Sequence, residues 1–363
     1  MSWFKLGGRK GSEAKADEEA TTAPTAQTAP DAGSAGDKSS EQTPPAPREM
    51  PEKVPPEVAD FFLIMEEHMN PVELEDMTHI VSELRQPPPI IDRLSVGLDD
   101  PDDLKEAILS SPTLSADVLR VVNSAAFAVT TPISSIEHAV TYLGTNTVKG
   151  LVMQAAVAQM MKFSTDVQKA AYMRLWRSGY AASAMAQTYA QLLELEHPSI
   201  YATRGLLAPI GDLALISARP ELSSLYAPKS TLLGRLESQQ RDLMANSAVL
   251  SALLAREWGL PEDLCDALRH ALTPLATAPG ENSRSADQQR DDVLLYLACR
   301  FGDAVAFGGL RDVEDFDPLQ DPAPELFYLQ IYLGELGLTA LATVGTDRKL
   351  GRRVQHLVNS FSG

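Results

Sequence analysis

The chain has 363 residues, 44% of them hydrophobic, a formal net charge of −18 and two cysteines. That is enough for one large or two ordinary domains with a sizeable core. The acidity argues against a general nucleic-acid binder and against adsorption of the whole body to anionic lipid, since both need Lys and Arg to meet phosphates. Cys265 and Cys299 lie far apart, with no CxxC or Cys/His spacing. Two buried free thiols in a reducing cytosol are expected, with a single disulfide as the alternative.

The opening "MSWFKLGGRKG" lacks the apolar core of a signal peptide. Runs such as "DFFLIMEEH" are too short to span a bilayer, so a soluble cytoplasmic protein is expected. Residues 12–54 are mostly Ala, Thr, Pro, Ser, Gly and acids. Such a segment buries too little surface to offset its conformational entropy, so 1–54 reads as a disordered tail. Its tip carries Trp3, Phe4 and Lys5, an aromatic-basic hook for a partner or a weak membrane contact; a frayed terminus is the plainer reading.

From Pro55 onward helical patterns follow one another without strand alternation. Residues 55–85 read as a helical N-terminal extension: "PPEVADFFLIMEEHM" sets Val58, Phe61, Phe62 and Met65 on one face, and "VELEDMTHIVSEL" does the same with Leu74, Met77, Ile80, Val81 and Leu84. "RQPPPII" then stops the helix. "DDPDDLKEAI" offers Asp100 as N-cap, Pro101 at the first helical position and two acids at the positive end of the dipole. "SSPTLSADVLRVVNSA" repeats the device with Ser111 and Pro112. "SSIEHAVTYLG" contains a capping box, Ser134 with Glu137, and ends at Gly144. Asp166 to about Leu195 forms one or two Ala-rich helices. Further helices cover "TLLGRLESQQRDLM", "SAVLSALLAREWG", "PEDLCDALRHAL", "DDVLLYLACRFGDAVAFG" and "PELFYLQIYLGELG", with "TAPGENSRSADQQ" and "RDVEDFDPLQD" as polar loops. "RGLLAPIGDLALISARP" places Pro209 inside an apolar helix. The helix is expected to end near Ala208 and restart with Pro209 at its first position, the mobile Gly205 lying beneath the proline.

Taken in order, "RQPPPIIDRL", "ILSSPTLSADVLRVVNSAAFAVTTPISSIEHAVTYLGTNTVKGLVMQ", "LWRSGYA", "GLLAPIGDLAL" and "LAREWGLPEDLCDALRH" resemble the HDOD family, the HD-related output domains of bacterial signalling, over roughly 86–300. The resemblance implies an all-α multi-helix bundle of two packed helical subdomains, with residues 301–363 as C-terminal helices packed on it. It also implies a regulatory role, a degenerate relative of HD phosphohydrolases.

Those catalytic relatives hold divalent ions through a His, a His-Asp pair and a distant Asp, and the ions activate water on a phosphodiester. At the matching positions this chain has Ser178, then Ala208 and Pro209, then Cys299; Ser247, Ala271 and Leu272 stand where extended relatives carry further His. No cofactor, no metal and no catalysis are therefore expected. The best reading is a signalling module that works by contact with other signalling proteins, without nucleic acid. The alternative is a sensor that binds a nucleotide messenger in the vestigial pocket. A divergent phosphohydrolase and a DNA binder rank lower.

Other residues stand out less. Asn123 and Ser124 either bond local backbone and shape the next loop or, with Arg120, form a contact surface. Trp176 reads as core. Arg177 is the expected partner of Asp212, because a buried carboxylate needs one. The six His show no ligand spacing, and Arg348, Lys349, Arg352 and Arg353 read as a solvated basic face.

Overall fold

The computed structural model describes residues 53–84, 89–95, 100–123, 132–346 and 355. The readings placed on the tail tip Trp3–Phe4–Lys5, on Ser124 and on the basic face at 348–353 lie outside the described residues. Among those described, all regular structure is helical: α1 (Pro56–Ala59), α2 (Pro71–Ser82), α3 (Ile90–Ser95), α4 (Pro101–Leu109), α5 (Pro112–Val122), α6 (Ile136–Leu143), α7 (Thr145–Met160), α8 (Asp166–Leu192), α9 (Pro198–Leu207), α10 (Ile210–Ala218), α11 (Leu232–Leu243), α12 (Ser247–Glu257), α13 (Glu262–Arg269), α14 (Thr273–Ala276), α15 (Ala286–Asp303) and α16 (Phe327–Glu335). No helix among them is long and apolar enough to cross a membrane.

The caps explain most boundaries. Asp100 accepts from the amides of Asp102 and Asp103, and α4 begins there. Thr165 and Gln168 form a reciprocal capping box that starts α8, and Ser285 with Gln288 does the same for α15. This satisfies amides that the first turn leaves without intrahelical partners. At α6 the capping residue is Ser135, whose hydroxyl accepts from the His138 amide, rather than Ser134.

Two apolar cores share α8. Its first half, with Leu175 and Trp176, packs into a core with α3–α7, α10 and α12. Its second half, with Met185 and Tyr189, packs into a core with α11, α15 and α16. The single helix is thus the spine of the bundle. Glycines let its neighbours come close: a Cβ on Gly205 of α9 would stand 2.8–2.9 Å from the backbone of Ala182–Ser183, and one on Gly302 of α15 would stand 2.3 Å from the Ser178 carbonyl oxygen. A larger residue at either place would push a helix away from α8.

The extension departs from the sequence reading. Residues 61–65 form no helix, and Met65 is extended. Phe61, Leu63 and Met65 pack toward the second core, while Phe62 is exposed. This alternation has a period of two, and tertiary partners satisfy the backbone: Gln240 accepts from the Ile64 amide and donates to the Phe62 carbonyl, and Asn246 donates to the Ile64 carbonyl. Aromatic and β-branched residues suit that conformation. Beyond this strap, α2 buries Met77, Ile80 and Val81 against α10 and α12.

Candidate functional site

The answer to the proline at 209 lies between α9 and α10. α9 ends at Leu207, Pro209 sits at the N-cap of α10, and the chain turns there without a mid-helix clash. The broken ladder is repaired from α12. Ser251 Oγ accepts from the Gly211 amide at 2.9 Å and donates to the Ala208 carbonyl at 3.2 Å. The approach is tight, since a Cβ on Gly211 would lie 2.0 Å from the Ser247 carbonyl oxygen. Gly205 packs on α8 at this level, so its small size serves helix contact as well as the bend.

This break opens one wall of an internal cavity of about 60 Å³. Its lining brings together all seven positions that the family resemblance singled out: Ser178 from α8, Ala208 and Pro209 from the break, Ser247 from α12, Ala271 and Leu272 from the turn after α13, and Cys299 from α15. Ala208, Ala271 and Cys299 join Ala267 and Leu295 in a small apolar cluster. Burial pushes the Cys299 thiol up to about 12, so it stays protonated at neutral pH. Cys265 is a second free thiol, buried and remote from any disulfide partner.

Four charged residues, Asp212, Arg235, Arg300 and Asp303, also line the cavity, and of these the sequence reading named only Asp212. Asp303, at the end of α15, accepts from Ser178 Oγ at 2.8 Å, from Arg300 Nη2 at 3.1 Å and from Arg235 Nη2. Burial works to raise its pKa, but the charges of Arg235 and Arg300 and the hydrogen bonds outweigh this and hold the carboxyl below its usual range. Arg235 stacks on Phe307 at 4.3 Å, and Arg300 reaches Glu325 at 3.5 Å. Asp212 is held differently. Tyr226 donates to it at 2.7 Å and Gln239 at 3.2 Å. Burial raises its pKa, and the opposing pulls of Arg235 and the Tyr226 hydroxyl do not cancel that rise.

The expected Arg177–Asp212 pair does not form. Arg177 is half-buried beside the cation Arg174, and burial together with that neighbour lowers its pKa. Asp212 takes neutral donors instead, Tyr226 from the segment after α10 and Gln239 from α11. Trp176 is buried in the first core, as a core residue. Asn123 bonds backbone: its amide donates to the Leu119 and Ile133 carbonyls, and its oxygen accepts from the Ile133 amide, all at 2.8 Å. It clamps the two ends of the 124–132 connection. Arg120 is exposed and pairs with Asp117. Neither residue comes near the cavity lining. The reading of Asn123 as a backbone-bonding residue thus holds, while its partner Ile133 is set by closure of the loop. Asp303 was findable in principle, one turn beyond Cys299 on the same face of α15.

The fold and cavity define an α-helical bundle with α8 as its spine, a break between α9 and α10, and a cavity lined from both sides of that break. The model of the HDOD domain matches residues 84–274, just over half of the chain, and the chain belongs to that family. A proposed signal transduction protein from Marinobacter aquaeolei VT8 superposes with a TM-score of 0.53 at 19% identity, covering 84% of this chain and 69% of that one. A proposed phosphohydrolase from Shewanella amazonensis SB2B superposes with a TM-score of 0.50 at 22% identity, covering 78% and 97%. At such identities the likeness is one of fold. An uncharacterized protein from Treponema pallidum (strain Nichols) is 24% identical over 197 residues, 52% of this chain; the match spans 37% of that protein's length.

The metal chemistry of HD relatives does not fit this lining. None of the seven positions is a His or Asp, and among the described residues no group of three His, Cys, Asp or Glu side chains is placed to hold an ion. The carboxylate with the lowest pKa in the cavity, Asp303, already meets two guanidinium groups, which would repel a divalent cation.

Proposed function

We propose that the protein is a non-catalytic signal-transduction module that acts through contact with other proteins. One observation carries this reading: the positions that would chelate ions converge on a cavity whose charges are neutralised from within by Arg235, Arg300 and Asp303. A hydrolytic water needs a cation to lower its pKa, or a free base, and this lining offers neither in accessible form. Family membership supports a signalling role, and the Marinobacter protein's name agrees with it. The nucleotide-sensor alternative gains nothing from the geometry. A cavity of about 60 Å³ holds a few waters, whereas small-ligand sites are roughly 300–1,000 Å³.

The test is metal analysis of the full chain purified with manganese, iron, zinc or magnesium, followed by hydrolysis of a generic phosphodiester. Sub-stoichiometric metal and no turnover above the blank are expected. Stoichiometric metal with metal-dependent cleavage would overturn the reading.

A further inference from the structure

The strap at 61–66 lies in a site that bonds non-helical main chain, leading into a 3-10 turn that starts at Glu66. Gln240 contacts it with both ends of its amide: Nε2 donates to the Phe62 carbonyl and Oε1 accepts from the Ile64 amide, each at 2.9 Å. Asn246 Nδ2 donates to the Ile64 carbonyl at 2.6 Å. Asn246 does not depend on the strap for its placement, because its oxygen caps α12 by accepting from the Ala248 and Val249 amides. It also donates to Gln240 Oε1 at 3.1 Å, so the two amides form a preorganised pair. These contacts read main chain and are indifferent to side-chain identity.

Specificity comes from two further features. Leu63 is 7% exposed and enters the second core, flanked by Phe61 and Met65. Glu66 is gripped by both terminal nitrogens of Arg256, at 2.9 and 2.8 Å, with Arg269 at 3.7 Å. Main-chain bonds plus pockets for alternate side chains are the physics of peptide recognition.

The strap fills the site incompletely. Phe61 and Phe62 line two cavities of about 510 and 380 Å³, and Phe62 is 63% exposed. Its flanks are anchored independently: α2 has its own Asn70 capping box and three buried apolar residues. Release of the strap therefore need not unfold α2. All four readers, Gln240, Asn246, Arg256 and Arg269, lie within the family-matched 84–274, while the strap lies before it.

We propose that Gln240, Asn246, Arg256 and Arg269 form a docking groove for an extended peptide with alternate apolar residues and a carboxylate three positions after its central leucine, and that residues 61–66 occupy this groove in cis as a displaceable plug. The inference rests on the protein-contact reading and gives the contact a place. A cis plug lowers the apparent affinity for a competitor by the fraction of time the groove is open.

The experiment uses the full chain and a labelled peptide, ADFFLIMEEHMN, the sequence of residues 59–70. Glu66→Arg sets a cation against Arg256 and Arg269 and should free the groove, so the peptide should bind this variant at least ~10-fold more tightly than wild type, a gain typical of removing a competing state. Adding Gln240→Ala should abolish the gain. A folded Glu66→Arg chain that binds no better, or that only self-associates, would overturn the proposal. Hydrogen exchange on the wild-type chain needs no variant to fold: the Ile64 amide should exchange by local opening faster than those of Ile80 and Val81 in α2, and excess unlabelled peptide should change its rate. Exchange of Ile64 only at the α2 rate would equally overturn it. Neither result bears on phosphodiester cleavage, so failure here leaves the non-catalytic reading standing.

Discussion

The internal cavity and the outer groove both use arginine to hold a carboxylate, and they differ in what surrounds the pair. In the cavity, Asp303 meets Arg235 and Arg300, whose side chains are only 5% and 6% exposed. In the groove, Glu66 meets Arg256, which is 42% exposed. Low dielectric makes the first arrangement costly to break, since a lost partner strands a buried charge. Water and counterions soften the second. The same chemistry thus serves as a permanent brace across α8, α11 and α15 in one place and as a releasable latch in the other.

The comparison can be broken most severely at Asp303. Asp303→Ala leaves Arg235 without its carboxylate and Arg300 with Glu325 alone, and urea denaturation should show a loss of about 3–5 kcal/mol, the usual cost of orphaning a buried ion. A loss below about 1 kcal/mol would mean that the brace is ornamental. Asn123→Ala is the next largest test. It removes three backbone hydrogen bonds at the 124–132 connection and should cost about 1–3 kcal/mol by the same measurement.

The two cavity carboxylates sharpen the contrast through pH. Asp303 has a depressed folded pKa, so its stabilisation is present above the unfolded value of about 3.9 and is lost as pH falls through the folded pKa. Asp303→Asn should remove that acid-side loss along with the stabilisation. Asp212 has a raised folded pKa, so the fold takes up its proton more readily. Stability from this group is full below about 3.9 and declines as pH rises toward the folded pKa. Asp212→Asn should therefore gain on wild type as pH rises through that window, because the amide keeps an acceptor for Tyr226 without a charge. Melting temperatures from pH 3 to pH 8 check both; parallel curves for the two variants would refute the distinction. The smallest effect belongs to the latch. Glu66→Gln should change global stability by less than about 1 kcal/mol, yet speed exchange at Ile64.

Much of the helical frame was legible locally. Asp100–Pro101 announces a helix start because a cap needs only its own first turn, whereas the box of Ser285 with Gln288 went unread, lying in the stretch taken as a polar loop, and α15 begins at Ala286. The break at Ala208–Pro209 was legible for the same reason: proline lacks a donor whatever surrounds it. The convergence of Ser178, Ala208, Pro209, Ser247, Ala271, Leu272 and Cys299 was reached through family resemblance, and the cavity places them side by side. The Arg177–Asp212 pair and the helical reading of 61–65 failed for one shared reason: each hinged on a partner distant in sequence. Tyr226, Gln239 and Arg235 claim the surroundings of Asp212, and Gln240 with Asn246 claims the strap's backbone.

The amino-acid order by itself determined the all-α class, the start of α4 at Asp100 and the break at Ala208–Pro209, since these depend on residue chemistry and on neighbours within a turn or two. Only the tertiary structure decided that Asp303 would be braced by Arg235 and Arg300, that Ser251 would mend the broken helix, and that the backbone at 62–64 would bond Gln240 and Asn246. The first two are set by helices that cross closely at Gly211 and Gly302, and a crossing depends on packing across the whole chain.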